Sequence, residues 1–114
     1  MEEILHAFKV VNDWHGELFS AIEIIGQVKY AIGMRTYPKE GAGPLCVFRA
    51  KSEAKAYVMR YFFSPGNARI FRCKYKKSES TQIWRAGERY LAESGLPPTT
   101  DLADWVELIE ILDN

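Results

Sequence analysis

Apolar and polar residues alternate with a period of two along much of the chain, which predicts strands. From Ile4 to Val11, Phe8 and Val10 share one face and Lys9 lies on the other. Asn12-Asp13-Trp14-His15-Gly16 follows with turn chemistry, because Asn, Asp and Gly accept backbone angles that other residues avoid. Leu18 to Ile25 is apolar on both faces, the pattern of a central strand. Gly26-Gln27 is short enough to join it by a hairpin to a third strand, Val28 to Met34. There Val28, Tyr30, Ile32 and Met34 share one face, with Lys29, Ala31 and Gly33 opposite. A gap from Arg35 to Pro44 holds Pro38, Gly41 and Gly43, and a short apolar strand, Leu45 to Phe48, comes next.

The period then changes. Ala54, Tyr57, Val58, Tyr61 and Phe62 fall at helical spacing. Ser52 is placed to cap the helix, and Glu53 suits its positive first turn. This predicts a helix over 52–63, ended by Ser64-Pro65-Gly66-Asn67. Arg69 to Tyr75 returns to period two, with Phe71, Cys73 and Tyr75 facing inward and Arg72 and Lys74 outward. The segment from Ile83 to Gly95 fits either a helix or a strand pattern. Trp105 to Leu112 reads as a final strand, with a helix from Asp101 as the alternative. The expected fold is α+β: one domain over 1–114, a mostly antiparallel sheet of five or six strands, and helix 52–63 packed on it by its Tyr57–Phe62 face.

Composition narrows the class. With 47% hydrophobic residues and 13% aromatic, the 114-residue chain can supply a core. No apolar run approaches the roughly 18–20 residues that span a bilayer. The start, MEEILHAFKVV, is acidic and interrupted by His6 and Lys9, unlike a secretory signal. The expected location is therefore cytoplasmic, with no membrane partner. Cys46 and Cys73 each sit within an apolar strand pattern, which reads as two buried thiols.

The net charge of zero hides an asymmetry. Residues 31–90 carry thirteen Lys and Arg against four acids, while residues 91–114 carry six acids and no base. Either the acidic end packs beside the basic strands, or the basic middle forms a face for a polyanion.

Chemical signatures are sparse. His6 and His15 are the two histidines, and there is no C-x-x-C or H-x-x-x-H spacing, so no metal is expected. Neither a nucleophile elbow nor a phosphate-binding glycine loop occurs. The basic run ARIFRCKYKK invites a nucleic-acid reading through Arg69, Arg72 and Lys74. Period two weighs against it, because it puts Phe71 and Tyr75 on the face opposite Arg72 and Lys74. The 35–44 loop, with Arg35, Tyr37, Lys39 and Glu40 between strands, is the other candidate surface.

Two resemblances bear on function. The order FKVV, GELFSA, VKYAIGMRTYP, GPLCVF, EAKAYV, ARIFRCKY is similar to small uncharacterised domains of prokaryotes and their phages. That resemblance implies an α+β domain and no assigned activity. A fainter one is to ADP-ribosyltransferases of the poly-ADP-ribose polymerase type. It rests on His15-Gly16, then Gly41-Ala42-Gly43 running into Leu45–Phe48, then Ala54-Lys55-Ala56-Tyr57. It implies NAD as cofactor, with His15 and Gly16 holding its ribose and amide and Tyr57 stacking near nicotinamide. Glu107 or Glu110 would then steady the ribosyl cation. Cys46 or Phe48 stands where that family has Tyr. The leading expectation is a non-enzymatic interaction module with no cofactor and a protein partner. Its candidate surface comprises Arg35, Tyr37, Lys39, Arg69, Arg72 and Lys74.

Overall fold

The computed structural model describes residues 2–20, 28–40, 42–61, 67–79, 82–85, 88–91 and 100–112. Among these residues the fold is α+β, with one helix and a seven-stranded antiparallel sheet as its main parts. β1 (Leu5–Trp14) turns at His15-Gly16 into β2 (Glu17–Ser20), which pairs with β3 (Lys29–Tyr30). β4 (Arg35–Thr36) and β6 (Leu45–Phe48) flank one edge of β10 (Thr100–Leu112), and β7 (Ala68–Lys77) lies along its other edge. β5 (Ala42–Gly43), β8 (Gln82–Arg85) and β9 (Glu88–Leu91) form a separate three-stranded sheet. The described parts of the segment left open at 83–95 are therefore strands, and 100–112 is a strand throughout.

The four long or buried strands close on themselves. β1 pairs with β7, β7 with β10, β10 with β6, and β6 returns to β1 through the pair Phe8–Phe48. Bulges in β10 between Ala103 and Trp105, and between Leu108 and Glu110, supply the bending that closure needs. Inside this ring lie Ala7, Val11, Leu45, Val47, Phe71, Cys73, Tyr75, Val106 and Leu108, all at most 2% exposed. Outside it, Val10, Phe48, Ala68 and Ile70 meet Ala54 and Val58 of the helix α1 (Lys51–Tyr61). α1 thus covers the outer face of β1 and β7 at Val10, Ala68 and Ile70, while His6, Arg72 and Lys76 on that face stay exposed.

Three expectations change. Strand β1 runs on through Asn12-Asp13-Trp14, and the turn is the pair His15-Gly16 alone, with φ of 53° and 86°. Positive φ at both central residues is what a two-residue hairpin of this hand requires. The third strand ends at Tyr30, because Ala31–Met34 is a tight turn: the Met34 amide donates to the Ala31 carbonyl at 3.2 Å. Gly33, with φ of 81°, supplies the left-handed position of that turn. Ile32 and Met34 are consequently exposed rather than in the core face with Val28 and Tyr30. Finally, the helix begins at Lys51, and the Ala50 carbonyl accepts from the Glu53 and Ala54 amides. Ser52 lies two residues past the capping position, which Ala50 holds. The second-strand residues 21–25, the Gly26-Gln27 hairpin, Gly41, Phe62 and the Ser64–Gly66 stop lie outside the described residues.

Candidate functional site

Among the described residues no helix is long and apolar enough to cross a membrane, and no three His, Cys, Asp or Glu side chains group as metal ligands would.

The basic strand is neutralised by its neighbours. Arg72 meets Glu110 at 2.7 Å, Arg69 meets Asp13 at 3.5 Å, and Lys76 meets Asp104 at 3.8 Å. Lys74 is paired in register with Glu107 on β10. The acidic end of the chain therefore packs beside the basic strand, one of the two arrangements its charge asymmetry allowed. Such exposed pairs each contribute about 0–1 kcal/mol, so they matter for surface potential more than for stability.

The residues that a transferase would bring together lie apart. His15 is at the tip of the first hairpin, its ring edge-on to Trp14 at 5.0 Å, and Asp13 Oδ1 accepts the Gly16 amide at 2.9 Å. Asn12 is opposite Ala68 on β7, whereas Glu107 is opposite Lys74. At the rise of a strand those positions are roughly 20 Å apart, with His15 further out still. Tyr57 packs on Phe48 at 5.3 Å beneath the helix, and Glu110 is held by Arg72.

The 31–39 segment is held firmly from below. The Gly33 amide donates to the Leu108 carbonyl at 2.8 Å, and β4 pairs Arg35 and Thr36 with Glu107 and Val106. The Arg35 guanidinium lies 3.9 Å from the centroid of the buried Trp105 ring. Glu2 closes this cluster: its Oε1 accepts from Trp105 Nε1 at 2.8 Å, and its Oε2 lies 3.3 Å from Arg35. In this segment Ile32, Met34 and Tyr37 are 57%, 64% and 56% exposed. Lys39 is exposed beside them in sequence.

The Trp105 hydrogen bond, against some desolvation and aided by the Arg35 and Lys76 charges, holds the Glu2 carboxyl below its ordinary value of 4.5. A lowered folded value means that this contribution is present above about pH 4.5 and is lost as pH falls through the folded value. The Trp105 indole N–H resonance is expected to move with a midpoint below 4.5 in wild type and to stay fixed over that range in Glu2→Gln. A midpoint at or above 4.5 contradicts the contact.

The feature inside the ring has no counterpart in the local sequence pattern. Lys9 follows Leu5 and Ala7 inward at period two and is 2% exposed. Its Nζ donates to the Cys46 carbonyl at 2.5 Å and lies 5.5 Å from the Tyr30 ring centroid. The Tyr30 hydroxyl is buried with no hydrogen-bond partner among the described residues. Cys46 and Cys73 are free thiols in the same interior. Burial pushes them up to about 11 and about 12, partly opposed by the nearby Lys9 charge. Neither thiol should therefore react with an aromatic disulfide reagent at pH 8 in the native state, and both should react at once on unfolding in denaturant. A fast native-state reaction at either one contradicts this packing.

A second polar contact spans β7 and β10. The Tyr75 hydroxyl donates to Asp101 Oδ2 at 2.6 Å, and Arg49 Nε lies 3.5 Å from Asp101 Oδ1. Burial first, and the Asp101 carboxylate second, raise the Tyr75 hydroxyl well above the ordinary phenol range.

No family model, no curated protein and no solved structure matches the chain.

Proposed function

We infer that the protein is a non-enzymatic interaction module, cytoplasmic, whose protein partner seats on the ridge Ile32–Met34–Tyr37 with Lys39 at its margin. One observation carries this reading. Three large apolar side chains stand more than half exposed within six residues, on a backbone pinned to β10. Scattered apolar residues are ordinary on a surface, but a cluster of them is not. Tyr and Met are enriched in interface cores, and a rigid support lowers the ordering cost of binding. The basic face Arg69/Arg72/Lys74 is the weaker candidate, since acids from β1 and β10 flank it.

The experiment is site-specific photocrosslinking in the cell that makes the protein, with the photoreactive residue at position 37. Position 59 is the control: Met59 is 79% exposed on α1, away from the ridge. The expected result is a discrete protein adduct from position 37 and none from position 59. Adducts of equal yield from both, or from neither, overturn the assignment.

A further inference from the structure

We propose that the interior of the strand ring holds a binding site for a small monovalent anion, seated between Lys9 Nζ and the Tyr30 hydroxyl. An ammonium carries three N–H donors and no acceptor. Lys9 Nζ has one hydrogen bond, to the Cys46 carbonyl, and a contact with the face of the Tyr30 ring. No ion pair to Lys9 occurs among the described residues. Tyr30 is 3% exposed, and its hydroxyl has no partner among the described residues. Of the other polar side chains of that interior, Tyr75 has its hydroxyl committed to Asp101, and Cys46 and Cys73 are free thiols, which are weak donors.

The interior thus gathers donors around one buried positive group. Burying such a group without a counter-charge is costly. A water molecule could bond to both groups but would leave the charge uncompensated. A small anion accepts from both and cancels it. The apolar walls, Ala7, Val11, Phe71 and Leu108, supply no competing acceptor side chain and exclude bulk water. Tyr30 itself is carried by β3, a two-residue strand at the end of the sheet path.

The test is the thermal midpoint at fixed ionic strength as sodium gluconate, too large for the interior, is exchanged for sodium chloride, nitrate or formate. A ligand that binds the folded state raises the midpoint in a saturable way. Wild type is expected to rise by several degrees with a hyperbolic dependence on at least one small anion. Lys9→Met is expected to be flat, and Tyr30→Phe to need about tenfold more of the same anion for half the effect, as befits the loss of one hydrogen bond to a charged group. A linear response of the same slope in wild type and Lys9→Met, the sign of a general salt effect, overturns the proposal. So does a wild type that does not respond. Tyr30→Phe keeps the ring and the packing, so a response unchanged in that variant overturns the placement at Tyr30.

Discussion

Phe48→Ala is expected to cost about 3–5 kcal/mol, the range for an aromatic truncated in a core. That is much of the 5–15 kcal/mol by which a domain is usually stable. The side chain is 1% exposed and stacks at 5.3 Å on Tyr57, so it joins the helix to the sheet. Its backbone also makes the pair with Phe8 that closes the ring, and is opposite Thr100 of β10 on its other side. Losing the ring therefore loosens two layers at the place where they meet. Phe48→Leu keeps most of the volume and should cost less than about 1.5 kcal/mol. Urea unfolding monitored by circular dichroism measures both. A cost below about 1 kcal/mol for the alanine variant contradicts the closing role.

Lys9→Met is expected to act in the opposite direction, raising stability by about 1–3 kcal/mol in gluconate buffer, where no small anion is present. Methionine follows the path of the lysine stem and removes the buried charge. The gains are relief of desolvation and an apolar contact with the ring walls. The losses are one hydrogen bond, worth about 1.5–3 kcal/mol when charged, and the cation–π contact. The desolvation of an ammonium, several kcal/mol even after relaxation, outweighs them. Lys9→Ala removes the charge but leaves a hole, so it should gain less than the methionine variant. If Lys9→Met instead lowers stability by more than about 1 kcal/mol, the lysine is a well-compensated structural residue.

Local signals were legible and closure was not. Leu45–Phe48 and Ala68–Lys77 form strands where their patterns predict, and Ala54 and Val58 bury the face that helical spacing assigns them. The helix start was displaced because the Ala50 carbonyl, not a Ser52 hydroxyl, meets the first amides. Val28–Met34 alternates well enough to be read as one strand, yet a glycine with φ of 81° ends it early. That early end decides half of the candidate site: the 35–44 gap is legible from its Pro and Gly, whereas period two places Ile32 and Met34 on the face of Val28 and Tyr30, and both are exposed. Lys9 was separated from Phe8 and Val10 by period two. That its face is interior depends on β6, β7 and β10 meeting around it, across 37 residues for its own hydrogen bond. No local pattern encodes that. The pairing of basic β7 with acidic β10 was half-visible as a charge asymmetry, which could not by itself say whether the two segments touch.

The ridge Ile32–Met34–Tyr37 is the surface proposed to bind. Its most direct test compares two variants in the crosslinking assay from position 37, with equal folding established by circular dichroism. Met34→Glu places a charge at the centre of the ridge and should weaken partner binding by about 30-fold or more, the effect of a hot-spot residue worth about 2 kcal/mol. Arg72→Glu reverses the centre of the basic strand and should leave occupancy within about threefold, even at low salt. The reverse pattern, with Met34→Glu harmless and Arg72→Glu disruptive, contradicts the ridge and moves the binding surface to the face of β7.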